Sequence, residues 1–274
     1  MSKKVNILVT LDKNYLFPLK VMLTSLFLNN RDTLFDVYVM HDSLTINHIK
    51  EITLVASKFK AKIINLKINQ NEFKDAPTLL HYTKAMYFRL LAHLYLPKTI
   101  DKIIYVDPDI LVLNRVDELY NTNLKNYYYG AAYHKLFSSK TLNKIRLYPY
   151  KIKNYYNSGV LLMNLKKLRS KVNPEMIYDF VKENKAKLVL PDQDVLNSLF
   201  AKNILLIDEY KYNYDARHYQ VYKALSKGKF DVSEVINQTV FLHFCGKSKP
   251  WLKNYRGKFE QLYQHYIKQL KQII

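Results

Sequence analysis

The chain has 274 residues, of which 49% are hydrophobic and 14% aromatic, and its formal net charge is +20. This hydrophobic fraction is typical of a globular protein and excludes a disordered chain. The single cysteine, Cys245, excludes a disulfide scaffold, a cysteine-rich zinc module and an iron–sulfur cluster. The longest segments without charged residues have 12 residues, whereas a membrane-spanning helix needs about 20 apolar ones. The sequence therefore predicts no such helix.

The amino-terminal segment has two lysines before an apolar run, as a secretion signal does. That run has only seven residues, is interrupted by Asn6 and Thr10, and ends at Asp12, so a buried first strand is the better interpretation. We therefore expect the protein in the cytoplasm, with peripheral attachment to the inner face of the cell membrane as a second expectation.

The positive charge is concentrated in two segments. Leu119–Pro174 has eleven Lys or Arg residues and no acidic one, and Lys247–Ile274 has seven against one. Such a field attracts nucleotides, nucleic acid or an acidic membrane surface. Codon bias in an AT-rich genome would also enrich lysine, and this alternative stays open.

Strands and helices alternate in the first half of the chain. The predicted elements are, in order, strand Val5–Leu11, helix Pro18–Asn30, strand Phe35–Met40, helix Asn47–Phe59, strand Ala61–Leu66, helix Thr83–Leu96 and strand Lys102–Val106. This alternation predicts an α/β fold with a mainly parallel central sheet flanked by helices. Ligands of such sheets bind at the carboxyl ends of the strands.

The alternation is weaker in the second half. Predicted there are strands Tyr127–Tyr133, Gly159–Asn164 and Thr239–Phe244, and helices Pro174–Asn184 and Asp192–Ala201. From Phe259 to Ile274 apolar residues recur at helical spacing with lysines between them, which predicts a basic amphipathic C-terminal helix. This helix either packs on the domain or lies on anionic lipid.

Two carboxylates, Asp107 and Asp109, follow the strand Lys102–Val106 directly. In extended backbone, residues two apart point to the same side, so both carboxylates can face one ion. Carboxylates at a strand end, with positions left for phosphate oxygens, suit a Mg²⁺ or Mn²⁺ nucleotide site. A simple surface turn is the alternative.

His243 ends a predicted strand and is followed closely by Gly246, Lys249 and the only tryptophan. An imidazole beside two carboxylates favours Mn²⁺ over Mg²⁺. Gly246 allows backbone to approach a phosphate, and Lys249 adds a compact positive charge. A structural histidine is the alternative.

Further polar residues stand near the ends of predicted elements. They are Asp12, Asn14 and Tyr15 after the first strand, Arg89 in the third helix, Asn157 before a strand, and Asp192 and Gln193 at a helix start. The first group suits the pairing and stacking of a nucleotide base. For Arg89 the alternative is a solvated helix face, and for Asn157 it is an ordinary turn. For Asp192 the alternative is a helix cap.

In chain order, these motifs resemble glycosyltransferase family 8, whose members include bacterial lipopolysaccharide galactosyl- and glucosyltransferases and glycogenin. The match runs from Val5 to Trp251 through Asp-x-Asn-Tyr, Tyr-x-Arg-Leu, Asp-x-Asp, Asn-x-Gly-Val-Leu-Leu-x-Asn-Leu, Asp-Gln-Asp and His-Phe-x-Gly-x-x-Lys-Pro-Trp. The resemblance implies a Rossmann-like GT-A fold over residues 1–250, followed by the C-terminal helix over residues 251–274.

The implied activity is that of a retaining enzyme of bacterial cell-surface polysaccharide synthesis. It moves a hexose, glucose or galactose, from a UDP-sugar to a glycan or lipid-linked acceptor, with Mn²⁺ as cofactor and Mg²⁺ as the alternative ion. An anionic membrane surface is an expected partner through the C-terminal helix, and nucleic acid is not.

The resemblance also implies roles for individual residues. The metal ligands are Asp107, Asp109 and His243, and the UDP contacts are Thr10, Asp12, Asn14, Tyr15, Gly246 and Lys249. The donor-sugar contacts are Arg89, Asp107, Asn157, Asp192 and Gln193, of which Asp192 and Gln193 are the candidate catalytic residues. His81 falls where bacterial members contact acceptor or sugar. His134 stands where the bacterial lipopolysaccharide enzymes tend to carry an acidic residue, which suggests a different acceptor, anionic or lipid-linked.

Two other classes compete with this interpretation. A nucleic-acid-binding protein would explain the charge and the aromatic residues, but paired carboxylates repel phosphate in the absence of a metal. A phosphatase of the haloacid dehalogenase type also has Asp-x-Asp after a strand, but near its amino terminus and with a later Gly-Asp, which this chain does not contain.

Overall fold

The computed structural model describes residues 4–69, 85–134, 145–150, 152 and 154–274. The strands are β1 (Lys4–Thr10), β2 (Leu34–His41), β3 (Ala61–Lys67), β4 (Lys102–Val106), β5 (Ile110–Val112), β6 (Tyr129–Ala131), β7 (Val160–Asn164), β8 (Ile204–Leu206), β9 (Tyr214–Asp215) and β10 (Phe241–His243). The α-helices are α1 (Leu16–Leu28), α2 (Ile46–Ala56), α3 (Ala85–Tyr95), α4 (Asp117–Asn121), α5 (Leu165–Lys171), α6 (Pro174–Glu183), α7 (Pro191–Phe200), α8 (Glu209–Tyr212), α9 (Tyr219–Leu225), α10 (Val232–Gln238) and α11 (Glu260–Ile273).

The main sheet has seven strands in the order β3-β2-β1-β4-β7-β6-β8. Its neighbours pair in parallel except at β7, which runs antiparallel to both β4 and β6. The predicted mainly parallel α/β sheet is therefore confirmed. Because β1 and β4 are parallel neighbours, their carboxyl ends bring Thr10 and Asp107 to the same edge of the sheet.

Helices cover both faces of this sheet and bury two large apolar clusters. One cluster joins α1 to β1 and β2 and extends to the C-terminal helix. The other joins α3 and α7 to the opposite face of the sheet. The strand β1 is buried from Val5 to Thr10, which explains its near-continuous apolar sequence, since central parallel strands are covered on both sides.

A second, three-stranded sheet has the order β5-β10-β9. Strand β10 runs antiparallel to β5, with His243 opposite Ile110, and parallel to β9, with His243 opposite Asp215. The backbone N–H of Phe244 also donates to the carbonyl oxygen of Asp109 at 3.0 Å. This register places His243 beside Asp109.

The structure differs from the predicted elements mainly in the second half. The predicted strand Thr239–Phe244 has three residues and belongs to the small sheet, and the predicted strand Tyr127–Tyr133 is likewise reduced to three. The strands β5, β8 and β9, which have two or three residues each, were not predicted from the sequence. Strands this short contain too few residues to show an alternating pattern.

The C-terminal helix packs its apolar side on the domain. Tyr263, Tyr266 and Leu270 are buried, and the Tyr266 hydroxyl accepts a hydrogen bond from Nδ2 of Asn29 at 2.7 Å. Lys268 and Lys271 are exposed. Within the described ranges, no helix has the length and apolar character needed to cross a membrane.

We expect Leu270→Ala to lower the free energy of unfolding by about 2–4 kcal/mol, because it removes a buried side chain from the contact between α11 and the core. Urea unfolding measures this change. The matched control is Lys268→Ala on the exposed side of the same helix, with an expected change within about 0.5 kcal/mol. Equal effects of the two substitutions would contradict the packing of this helix on the domain.

Candidate active site

A cavity of about 620 Å³ opens at the carboxyl ends of β1 and β4. This volume is in the range of ligand-binding clefts. Of the residues predicted for the site, the cavity is lined by Thr10, Asp12, Tyr15, Arg89, Asp107, Asp109, Asn157, Asp192, Gln193, His243, Gly246 and Lys249. Asn14 is exposed on the turn beside the cavity, where its backbone N–H donates to Asp12. His81 lies outside the described residues.

Two carboxylates and one imidazole converge at one wall of the cavity. Nε2 of His243 lies 3.2 Å from Oδ1 of Asp109 and 3.8 Å from Oδ2 of Asp107. One ligand atom from each of the three residues lies within 4.8 Å of the others. Asp109 and His243 are buried, and the Asp107 side chain is 19% exposed. Two hard oxygen donors and one imidazole nitrogen are a suitable ligand set for Mn²⁺.

Two further observations fit a cation at this position. Oδ1 of Asp109 is buried and, within the part of the chain that the structure describes, has no hydrogen-bond partner. A Cβ atom on Gly159 would lie 2.3 Å from Cε1 of His243 and 2.9 Å from Oδ2 of Asp107. The backbone beside the cluster therefore has to be glycine, because any side chain would displace the imidazole or the carboxylate.

The ring of His243 is oriented by a chain of amides. Nδ1 of His243 lies 2.9 Å from Oδ1 of Asn213, and Nδ2 of Asn213 donates to Oδ1 of Asn157 at 2.8 Å. Nδ2 of Asn157 in turn donates to Oε1 of Gln193 at 3.3 Å. Since Asn213 presents its oxygen to Nδ1–H, the lone pair of Nε2 is left for a metal.

Asn213 is not among the residues predicted for the site. It is fully buried and stands between α8 and β9, both of them too short to be predicted. A polar residue within an otherwise Tyr-rich segment was the only available signal, and it does not distinguish a buried asparagine from one in a turn.

Arg89 links the carboxylates of two different elements. Its guanidinium lies 3.0 Å from Oδ1 of Asp107 and 3.3 Å from Oδ2 of Asp192, and it donates to the carbonyl oxygen of Ser158 at 2.9 Å. Burial alone would lower the pKa of Arg89, but Asp107 and Asp192 hold it above its usual value. Burial raises the pKa of Asp107, although Arg89 acts in the opposite direction. Arg89 therefore faces the cavity. The alternative prediction, that it lies on a solvated helix face, is wrong.

Lys249 is the second cation of the site. Its Nζ donates to Oδ2 of Asp109 and, at 2.8 Å, to the carbonyl oxygen of Phe244. Burial would raise the pKa of Asp109, but Lys249 and His243 together hold it well below its usual range. Asp109 is thus an anion in contact with the Lys249 ammonium and the His243 imidazole.

The end of β1 lies beside the carboxylate cluster, because β1 and β4 are neighbours in the sheet. The hydroxyl of Thr10 lies 3.1 Å from that of Tyr105, which donates to Asp107. Tyr15 meets the ring of Trp251 edge-on at 5.9 Å between centroids, and burial raises the pKa of Tyr15 to about 12.

Gly246 has φ +82 and lies under Arg217, whose Nη1 would be 2.8 Å from a Cβ atom there. The flexible glycine is therefore required at this turn.

Asp194, the third polar residue of the Asp-Gln-Asp motif, anchors the start of α7. It is fully buried and accepts two hydrogen bonds from Arg146 at 2.7 Å and one from the Tyr155 hydroxyl at 2.5 Å. The backbone N–H groups of Val189 and Leu190 donate to it as well. These five donors fix the residues on either side of Asp192 and Gln193, so that both side chains face the cavity.

The sequence profile described as glycosyl transferase family 8 matches residues 6–255 of this chain. The chain therefore belongs to glycosyltransferase family 8. This membership supersedes both the nucleic-acid-binding and the phosphatase interpretations.

Individual relatives agree with this membership. The chain is 27% identical to lipopolysaccharide 1,2-glucosyltransferase of Escherichia coli K12 over 92% of this chain and 74% of the relative. It is also 27% identical to general stress protein A of Bacillus subtilis, over 95% and 92% of the two chains. Lipopolysaccharide 1,3-galactosyltransferase of Salmonella typhimurium is 24% identical over 91% and 74%.

Among solved structures, the galactosyltransferase LgtC in complex with donor and acceptor sugar analogs superposes with a TM-score of 0.81. The match covers 98% of this chain and 96% of LgtC, at 22% sequence identity. The GT-A fold expected from the sequence is thereby confirmed.

We expect Arg146→Ala to lower the free energy of unfolding by about 3 kcal/mol, because it leaves the buried Asp194 carboxylate without its charge partner. Chemical denaturation measures the change. The control is Arg115→Ala, whose side chain is 52% exposed and pairs with Asp117 at 3.3 Å, with an expected change below about 1 kcal/mol. If both substitutions cost the same, Asp194 is not the anchor described here.

Proposed function

We propose that the protein is a retaining hexosyltransferase that takes glucose or galactose from a UDP-sugar and depends on a divalent cation, Mn²⁺ or less effectively Mg²⁺. The observation that carries this proposal is the convergence of Asp107, Asp109 and His243 beside Lys249 at the end of β4. Family membership supports the transfer of a sugar, and the chemistry of this cluster supports a diphosphate-linked donor.

The proposed metal ligands are Asp107, Asp109 and His243. When bound, the cation would neutralise the negative charge that develops on the departing diphosphate. Lys249 lies next to the same position and supplies a further positive charge, with the turn at Gly246 allowing backbone to approach the phosphates. Thr10, Asp12 and Tyr15, at and after the end of the neighbouring strand β1, are the proposed contacts of the uridine.

The donor sugar is proposed to lie between the diphosphate position and the start of α7. Arg89 fixes the carboxylates of Asp107 and Asp192, and both acids line the cavity where they can accept hydrogen bonds from sugar hydroxyls. Gln193 is held by Asn157 and presents its amide from the same helix. We propose that Asp192 and Gln193 orient the anomeric carbon, and that neither acts as a strong base.

Retention of configuration requires either an enzymatic nucleophile or attack by the acceptor on the face that the diphosphate leaves. Asp192 pairs with Arg89, Asp194 is held by five donors, and Gln193 is neutral. We therefore favour same-face attack: the acceptor oxygen bonds to the anomeric carbon as the bond to UDP breaks. The acceptor proton passes to the departing phosphate oxygen.

The names of the relatives support a cell-surface acceptor, since two of them are lipopolysaccharide glycosyltransferases. A glycan or lipid-linked acceptor agrees with the basic surface of this chain. The protein is proposed to act in the cytoplasm, at the inner face of the cell membrane. Because the apolar side of α11 packs on the domain, its proposed contact with this anionic surface is electrostatic. It would rest on exposed lysines such as Lys268 and Lys271.

The purified protein should release UDP from UDP-glucose or UDP-galactose when Mn²⁺ is present, and EDTA should abolish the release until Mn²⁺ is restored. Asp109→Ala and His243→Ala should each lower the rate by at least about a hundredfold, because the charge of the leaving group is no longer neutralised. Coupled detection of UDP measures the rate.

Asp32→Ala is the control, since that carboxylate is 88% exposed and outside the cavity, and it should leave the rate unchanged. Full UDP release in EDTA would refute the metal assignment. Absence of release from every UDP-sugar, with or without added glycan acceptors, would refute the donor class.

A further inference from the structure

Four side chains form a continuous series of hydrogen bonds from the imidazole of His243 through Asn213 and Asn157 to the amide of Gln193. We call these four residues the amide network. Asn213 is fully buried, whereas the other three line the cavity. The network therefore joins a proposed metal ligand on β10 to a proposed sugar contact on α7 through one residue behind the cavity.

The backbone N–H of Gly159 fixes the direction of every hydrogen bond in the amide network. It donates to Oδ1 of Asn157 at 2.8 Å, and a backbone N–H can only donate. Oδ1 is therefore the side of the Asn157 amide that faces Gly159, and Nδ2 is the side that faces Gln193.

On the sugar side, this direction determines which atom Gln193 offers to a ligand. Nδ2 of Asn157 can only donate, so the Gln193 atom that it meets at 3.3 Å is Oε1. Nε2 is then the atom of this amide that remains for the cavity. The backbone of Gln193 is held as well, because Nδ2 of Asn197 donates to its carbonyl oxygen at 2.8 Å. Gln193 thus offers the cavity a hydrogen-bond donor on a fixed support.

On the metal side, the same direction reaches His243. Because Oδ1 of Asn157 accepts, the Asn213 atom that meets it at 2.8 Å is Nδ2. Oδ1 of Asn213 then faces Nδ1 of His243 at 2.9 Å, and this ring nitrogen has to carry a proton. The nitrogen left for a cation is Nε2, which lies 3.2 Å from Oδ1 of Asp109.

We propose that Asn213 is a positioning residue, and that the amide network makes Nε2 of His243 the metal ligand and Nε2 of Gln193 a hydrogen-bond donor to the donor sugar. The second half of this proposal rests on the transferase function proposed above. The nucleophilic atom of an amide is its oxygen, and Oε1 of Gln193 is directed at Asn157. Gln193 therefore orients the sugar by donating to one of its oxygens, in agreement with same-face attack by the acceptor.

The metal side is tested without turnover, by the affinity for Mn²⁺ in the presence of UDP. Asn213→Leu removes the acceptor of the Nδ1 proton at similar side-chain volume and should lower this affinity about tenfold. Asn213→Asp keeps an oxygen for Nδ1–H and should bind Mn²⁺ at least as tightly as the unchanged protein. A role in packing alone predicts the reverse order, because a buried carboxylate is more costly than a buried leucine.

The sugar side is tested by kcat for UDP release from the UDP-sugar. A carboxylate has no N–H to donate to Oδ1 of Asn157, so Asn213→Asp places two acceptors against each other and disturbs the support of Gln193. We expect kcat to fall about tenfold while Mn²⁺ affinity is retained. Gln193→Met, which has no donor, should also lower kcat at least about tenfold and leave Mn²⁺ affinity unchanged.

The control is Asn184→Leu, since Asn184 is a buried asparagine outside the cavity whose Nδ2 donates to the carbonyl oxygen of Phe180 at 3.0 Å. It should change neither Mn²⁺ affinity nor kcat. Circular dichroism verifies the fold of each variant, and Asn213→Ala takes the place of Asn213→Leu if the latter does not fold.

Unchanged Mn²⁺ affinity in Asn213→Leu, or equal losses in Asn213→Leu and Asn213→Asp, would overturn the positioning role of Asn213. Full kcat in Asn213→Asp or in Gln193→Met would overturn the donor role of Gln193. If the unchanged protein releases UDP from no UDP-sugar, the proposed function fails and the donor role of Gln193 fails with it. The two Mn²⁺ affinities still decide the role of Asn213 in that case.

Discussion

The pairing of β10 with β5 brings together the two carboxylates and the imidazole of the site. Asp107 and Asp109 follow β4, whereas His243 comes more than a hundred residues later, and only the antiparallel register of His243 with Ile110 brings them together. A shift of one residue would turn the imidazole to the other face of the strand. The parallel pairing with β9 adds Asn213 behind the imidazole and Asp215 beside it.

The cavity compensates its buried charges in pairs. Arg89 binds Asp107 and Asp192, Lys249 binds Asp109, and Arg217 binds Asp215. Burying an unpaired carboxylate is costly, so each of these acids needs a cation whether or not a ligand is present. The diphosphate and cation proposed above would bind where the protein's charges are already arranged, which is the preorganisation that electrostatic catalysis requires.

The sequence is informative where the signal is local. Lys102–Val106 contains an uninterrupted apolar run and forms the strand with the predicted bounds. The motifs along the whole chain identify twelve residues that line the cavity. The sequence does not reveal that β10 leaves the main sheet, nor the positions of Asn213 and Asp215, because these depend on pairings between distant strands of two or three residues. The anchoring of Asp194 by Arg146 is equally hidden, since the partners are 48 residues apart.

The most direct test of the account is the affinity for Mn²⁺ of Gly159→Ala in the presence of UDP, measured by electron paramagnetic resonance of the free ion. The added Cβ would collide with His243 and Asp107, so we expect affinity to fall by at least about tenfold, equivalent to about 1.4 kcal/mol. Gly130→Ala, in a buried strand with its closest neighbour at 3.3 Å in Leu124, should bind Mn²⁺ as the unchanged protein does. Mn²⁺ binding by Gly159→Ala with undiminished affinity would contradict the placement of the cation between these residues.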